Sequence, residues 1–233
     1  TRHSTLFPYT TLFRSSFVGI VRGFVASLRR LDKVTAQLRD DGRELALANM
    51  LQAITEHARL FGPVRHWIAL PFLSTGGAEM VALNFCRAVR ELRPADSILL
   101  LITDRALISE RMAVPPGVLA LVMDDYLEGD LSYARKQALL RDLLIAAQPD
   151  CFHNINSEVA WHLLLKEGER LQRYTNLFAS IFAFQFAANR NTKIGYAAYF
   201  LKKGMPFLSG LLSDNRRFLV DAAQEYQLTP QER

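Results

Sequence analysis

Cysteine is scarce, with Cys86 and Cys151 the only two among 233 residues. There is no CxxC and no Cys/His cluster, so neither a disulfide framework nor a zinc site is expected, and two buried, reduced thiols are the simpler reading. Long apolar runs are also missing. A spanning helix asks for about 20 predominantly apolar residues, and the nearest stretch, Tyr174 to Ala188, is interrupted by Thr175, Asn176, Ser180 and Gln185. A secretory signal would need an unbroken apolar core, whereas the N-terminus carries Pro8, Thr10, Thr11 and Arg14. The net charge is +5, but the basic residues are scattered among Asp and Glu. Nucleic acid is therefore not an expected partner, because the concentrated basic footprint it requires is lacking.

What remains is the composition of a globular piece, 50% hydrophobic and 22% charged. Its most informative stretch is Trp67 to Leu92. The apolar run Trp67-Ile68-Ala69-Leu70-Pro71 passes through Leu73-Ser74-Thr75-Gly76-Gly77-Ala78-Glu79 into a segment whose Val81, Phe85, Ala88, Val89 and Leu92 recur at helical spacing. Glycines between a strand and a helix let backbone approach a ligand closely, and the first N–H groups of a helix have no intrahelical partner. Such a turn is suited to an anion, a phosphate above all. Glu79, in the first turn, would complement the helix dipole.

The remainder alternates in the same way. Ser97 to Thr103 and Val118 to Met123 are short apolar runs typical of buried parallel strands. Pro115-Pro116-Gly117 marks a loop between them. A helix is predicted over Asp130–Ala147, a strand over Asp150–Asn154, a helix from Ser157 to about Glu169, and strands over Asn176–Phe182 and near Phe207–Ser213. The fold class predicted is α/β, a Rossmann-like parallel sheet with helices on both faces, preceded by an amphipathic helical segment. That helical prefix, residues 16–62, has a basic amphipathic helix over Phe17–Leu38 and a second helix over Gly42–Leu60. Its face fits packing against another domain, or peripheral contact with an anionic membrane surface. Before it, Ser4 to Ser15 reads like a sequencing-adapter oligonucleotide translated in frame, so residues 1–15 are assigned no function.

Strand, Pro71, short loop and Gly76-Gly77-Ala78-Glu79 opening a helix together resemble the first strand-loop-helix of retaining GT-B glycosyltransferases, of the family 4-like kind. Pro149-Asp150-Cys151-Phe152-His153-Asn154-Ile155-Asn156-Ser157 is similar to a strand end midway through the same domain, and Gly210 to Phe218, followed by Tyr226, resembles the strand that closes it. The resemblance implies that residues 63–233 form the N-terminal, acceptor-side domain of a GT-B fold. Gly76 and Gly77 would then touch the diphosphate of a nucleotide sugar, with Ser74, Thr75, Asp104, Asn154 and Asn156 near the substrates. His153, expected at a strand end facing the cleft, would be the catalytic candidate, although the family often places its histidine where this chain has Ile155.

By the same resemblance the reaction is transfer of a sugar to a glycan or lipid-linked acceptor, cytoplasmic or peripheral at the inner membrane face. No metal or other cofactor is called for, and the nucleotide-diphosphate sugar is a substrate. The family's second domain carries two glutamates with seven residues between them, and no glutamates here have that spacing. The donor-binding half is thus expected to be missing, the chain being cut at both ends, and this piece alone should not transfer sugar. Two other classes stay open. A dinucleotide oxidoreductase would want G-x-G-x-x-G, which Ser74 to Met80 does not supply. A non-catalytic Rossmann-like binding module is compatible with every residue.

Overall fold

A computed structural model describes residues 42–110, 112–127, 132–188 and 191–226. Gly42–Arg233 forms one compact unit. The adapter-like residues and the predicted helix over Phe17–Leu38 lie outside the described residues.

Helix α1, Arg43–Phe61, buries Ala46, Leu47, Met50, Leu51 and Ile54, a stripe at helical spacing. It ends at Gly62, whose φ of 94° is left-handed and whose missing Cβ leaves room for the Ala95 carbonyl. Next come β1 (Val64–Leu70), α2 (Gly77–Leu92), β2 (Ser97–Ile102), β3 (Val118–Val122), α3 (Tyr133–Ala147), β4 (Cys151–Ile155), α4 (Glu158–Leu171) and β5 (Asn176–Ser180). A short antiparallel hairpin of β6 (Gln185–Phe186) and β7 (Lys193–Ile194) follows. The chain then forms a π-helix, Ala197–Leu201, and closes with β8 (Gly210–Leu212) and α5 (Arg216–Tyr226). The hairpin and π-helix had no counterpart in the sequence reading, since neither has a periodicity of its own.

Strands pair in the order β3-β2-β1-β4-β5-β8, all parallel, so the protein is an α/β Rossmann-like fold. Every residue of β2 is buried, as a central parallel strand requires. Ile68, Leu70, Ile98, Leu100 and Ile102 share one core layer with Ala82, Leu83 and Cys86 of α2. Alternation turns Trp67, Ala69, Leu99 and Leu101 to the other face, where α1, α3 and α4 pack side by side. Because α1 also lies on β1, β2 and β3, it belongs to the sheet domain. The boundary expected between residues 62 and 63 is therefore corrected to Gly42, for the apolar face of α1 is covered by this domain's own sheet.

Residues 103–117, between β2 and β3, contain no helix among the described residues. This connection instead crosses to the α2 face. Leu73 N–H donates to Leu107 O and Ser109 N–H to Leu73 O, each at 2.8 Å, and Met112 joins the core beneath α2. The β1–α2 turn is thereby fastened from one side.

Candidate functional site

Strand order reverses between β1 and β4, which are adjacent in the sheet although β2 and β3 intervene in sequence. In open parallel sheets ligands sit outside the carboxyl ends of the strands at such a switch point. The turn from Pro71 to Gly77 flanks it on one side, and Asn156-Ser157 flanks it on the other.

Gly76 is the N-cap of α2, in extended conformation, and Gly77 is its first residue. Ser74 and Thr75 make no hydrogen bond to the described residues, and Thr75 and Gly77 are exposed. Nothing lies within 4 Å of where a Cβ on Gly77 would sit. A Cβ on Gly76 would instead collide with the Glu79 carboxylate, which folds back over the cap and is only 6% exposed. Its negative charge lies at the positive end of the α2 dipole, with no hydrogen bond to the described residues. The turn thus offers two hydroxyls and open space at Gly77, and first-turn amides without a hydrogen-bond partner over which the Glu79 carboxylate lies.

Opposite, the Asp104 carboxylate is used by the fold. It accepts from the amides of Glu158 at 2.9 Å and Val159 at 3.4 Å, and from the hydroxyls of Thr103 at 2.7 Å and Ser157 at 3.2 Å. It therefore closes the N-terminus of α4 from across the switch point. Ser157, the N-cap, accepts in turn from Ala160 N–H at 3.0 Å. The Lys136 ammonium, buried at the base of α3, donates to Asp104 O at 2.7 Å and stands 2.5 Å from Asp124 Oδ1. Two of the expected substrate contacts, Asp104 and Asn154, are thus corrected to roles within the fold. Asn154 is fully buried, accepting from Ser157 N–H at 2.9 Å and donating to Ser157 O. Asn156 keeps an open position at the edge, in the left-handed conformation with φ 61°, which asparagine tolerates.

His153 is corrected as well. It is the third residue of the five in β4, not the last. Phe85 of α2 covers it edge-on at 4.8 Å, Nε2 lies 2.8 Å from Ser180 Oγ, and 5% of the residue is exposed. Burial pushes its pKa down to about 4, so the ring is neutral at pH 7. A ligand on the carboxyl edge does not reach it, because the strand runs on through Asn154 and Ile155.

The residues that sequence reasoning missed are the partners of Asp104, namely Thr103, Ser157 and the first turn of α4. Ser157 was legible as an N-cap preceding an apolar helix, whereas Asp104, more than fifty positions earlier, had no local signal. Among the described residues no group of three or more His, Cys, Asp or Glu is placed to hold a metal ion. No described helix is long and apolar enough to cross a membrane.

Fold and turn define the chain as a Rossmann-like α/β protein with an open glycine turn at its switch point. No protein-family model, no curated protein and no solved structure matches it.

Proposed function

We propose that this chain supplies the acceptor-side domain of a retaining GT-B glycosyltransferase, which moves a sugar from a nucleotide-diphosphate donor to a glycan or lipid-linked acceptor. The observation that carries this reading is the Gly76-Gly77 turn, with its orphan amides, its free Ser74 and Thr75 hydroxyls and the empty space beside Gly77. Amides fixed in a turn stabilise charge developing on a leaving diphosphate without reorganising at the moment of reaction. Thr75 and Asn156, on either side of the switch point, are positioned to contact substrate. His153 and Asn154 act from beneath, holding the strand end in shape. A nucleotide-sugar donor places the reaction on the cytoplasmic side, and a lipid-linked acceptor would bring the protein to the inner membrane face.

Calorimetric titration with UDP, GDP and ADP, each with and without its sugar, tests the reading. Binding of at least one is expected, weakened by about tenfold or more in Gly77→Leu, which corresponds to about 1.4 kcal/mol. Sugar transfer by this chain alone is not expected. Absence of binding, or equal binding by the variant, would leave a non-catalytic binding module. Binding of NADH in preference to every nucleoside diphosphate would move the protein to the oxidoreductases.

A further inference from the structure

A second polar edge lies across the switch point from the glycine turn, where α3 and α4 begin. Arg105 follows β2, Tyr133 opens α3, Glu158 and His162 occupy the first turns of α4, and Tyr196 precedes the π-helix. Tyr133 Oη donates to Glu158 Oε2 at 3.4 Å, the long limit of a hydrogen bond. His162 Nε2 stands 3.6 Å from Glu158 Oε1, beyond that limit. The carboxylate thus has two loose neighbours and remains 44% exposed.

Tyr196 is half-buried and its phenol hydrogen-bonds none of the described residues. Burial first, then the charges of Asp104 and Glu158, push it up to about 12, so it stays a neutral donor. Arg105, whose charge reaches both Tyr133 and Tyr196, pairs with no described carboxylate. Beneath them runs a stack of rings. Tyr196 lies 6.1 Å from Phe200, which is parallel to Trp161 at 5.7 Å, while Tyr199 stands edge-on to Phe200 with 57% of its surface exposed. Tyr199 lies within the π-helix and Tyr196 just before it, a rare geometry that is frequent at functional sites.

We infer that this edge binds a neutral saccharide. Sugar hydroxyls both donate and accept, and the edge presents an acceptor in Glu158 beside donors in Tyr196 and Arg105. Apolar sugar faces of C–H groups settle on aromatic rings, which Tyr133 and Tyr196 supply. A diphosphate would be repelled here, because Asp104 and Glu158 outnumber Arg105. That the saccharide is the acceptor of the reaction rests on the function proposed above, whereas its binding does not.

The test is saturation-transfer NMR with the methyl glycosides of glucose, galactose, mannose and N-acetylglucosamine, paired with titration by tryptophan fluorescence in a Trp67→Phe background, where Trp161 is the emitter. At least one glycoside is expected to bind. Glu158→Ala should weaken it about tenfold and Tyr196→Phe about fivefold, the scale of one charged and one neutral hydrogen bond. Gly77→Leu should leave it unchanged, and Tyr196→Phe should leave nucleotide titration unchanged. Tyr196→Phe keeps the ring and its stacking, so it reports on the site even where Glu158→Ala disturbs α4. No binding by any glycoside, or binding indifferent to both substitutions, would overturn the inference. Saccharide binding without nucleotide binding would sink the glycosyltransferase reading alone.

Discussion

Asp104→Ala should destabilise the protein by about 2–3 kcal/mol through loss of the cap on α4. Four groups donate to this carboxylate, but they do not count equally. Thr103 Oγ1 keeps partners in Leu70 O at 2.9 Å and Ser157 Oγ at 2.7 Å, so its loss costs little. The 3.4 Å contact from Val159 N–H is weak. The 2.9 Å bond from Glu158 N–H is the principal term, worth about 1.5–3 kcal/mol as a bond to a charged acceptor. A negative charge at the helix N-terminus adds about 0.3–1 kcal/mol. Part of the total is retained, because the Ser157 cap on Ala160 N–H remains. In a domain of this size about 2–4 °C of melting temperature accompanies each kcal/mol, so a fall of roughly 4–12 °C is expected. Asp104→Asn keeps an acceptor and loses only charge, and should cost about 1 kcal/mol. Urea denaturation of the three proteins measures both. An Asp104→Ala protein as stable as its parent, yet unable to bind saccharide or nucleotide, would refute the capping argument and return Asp104 to the ligand.

His153 should make stability fall in acid. Its pKa drops from about 6.5 unfolded to about 4 folded, so the unfolded chain takes up the proton first. Stability is level above pH 6.5 and declines towards pH 4, by about 3 kcal/mol in all. Urea midpoints at pH 7.5 and 4.5 should diverge less in His153→Gln than in the parent, and equal divergence would dismiss the histidine. Gly168→Ala should cost about 1–3 kcal/mol, since its Cβ would stand 2.6 Å from Cγ of Phe207. Gly77→Ala, with open space around it, should be neutral or stabilising by up to about 1 kcal/mol, and thermal melts separate the two. Burial pushes the Cys86 thiol up to about 12 and the Cys151 thiol up to about 11. Cys86, fully buried, should not react with Ellman's reagent at pH 8 until the protein unfolds, whereas the partly exposed Cys151 should react slowly, and rapid labelling of Cys86 in a Cys151→Ser protein would contradict its burial.

Most of the framework was legible because it is local. The run Ser97 to Ile102, the helical spacing of α2 and the Pro-Pro-Gly loop each declare themselves within a few residues, and the alternation of such units implies a parallel sheet. The buried face of α2 is not the one its spacing suggested, since Ala82, Leu83 and Cys86 are buried while Ala88 and Leu92 are exposed. Boundaries slipped where tertiary contacts decide them. Met123 leaves β3 for a 3-10 turn, and β1 begins at Val64, ahead of Trp67, because strand pairing with Ser97 extends it. The open turn at Gly76-Gly77 was readable, since glycines between a strand and a helix carry their own backbone logic. The far side of the switch point was not. Asp104, Asn154 and His153 had the chemistry expected of ligand contacts, and only the fold shows two of them bound to the start of α4 and the third lying beneath Phe85. The cluster of Arg105, Tyr133, Glu158 and Tyr196 was equally invisible, drawn as it is from separate segments between Arg105 and Tyr196. Local periodicity and turn chemistry are set by neighbours along the chain, so the amino-acid sequence alone determined the elements and their α/β class. Which polar groups remain free for a ligand depends on partners distant in sequence, and that was decided only when the sheet brought them together.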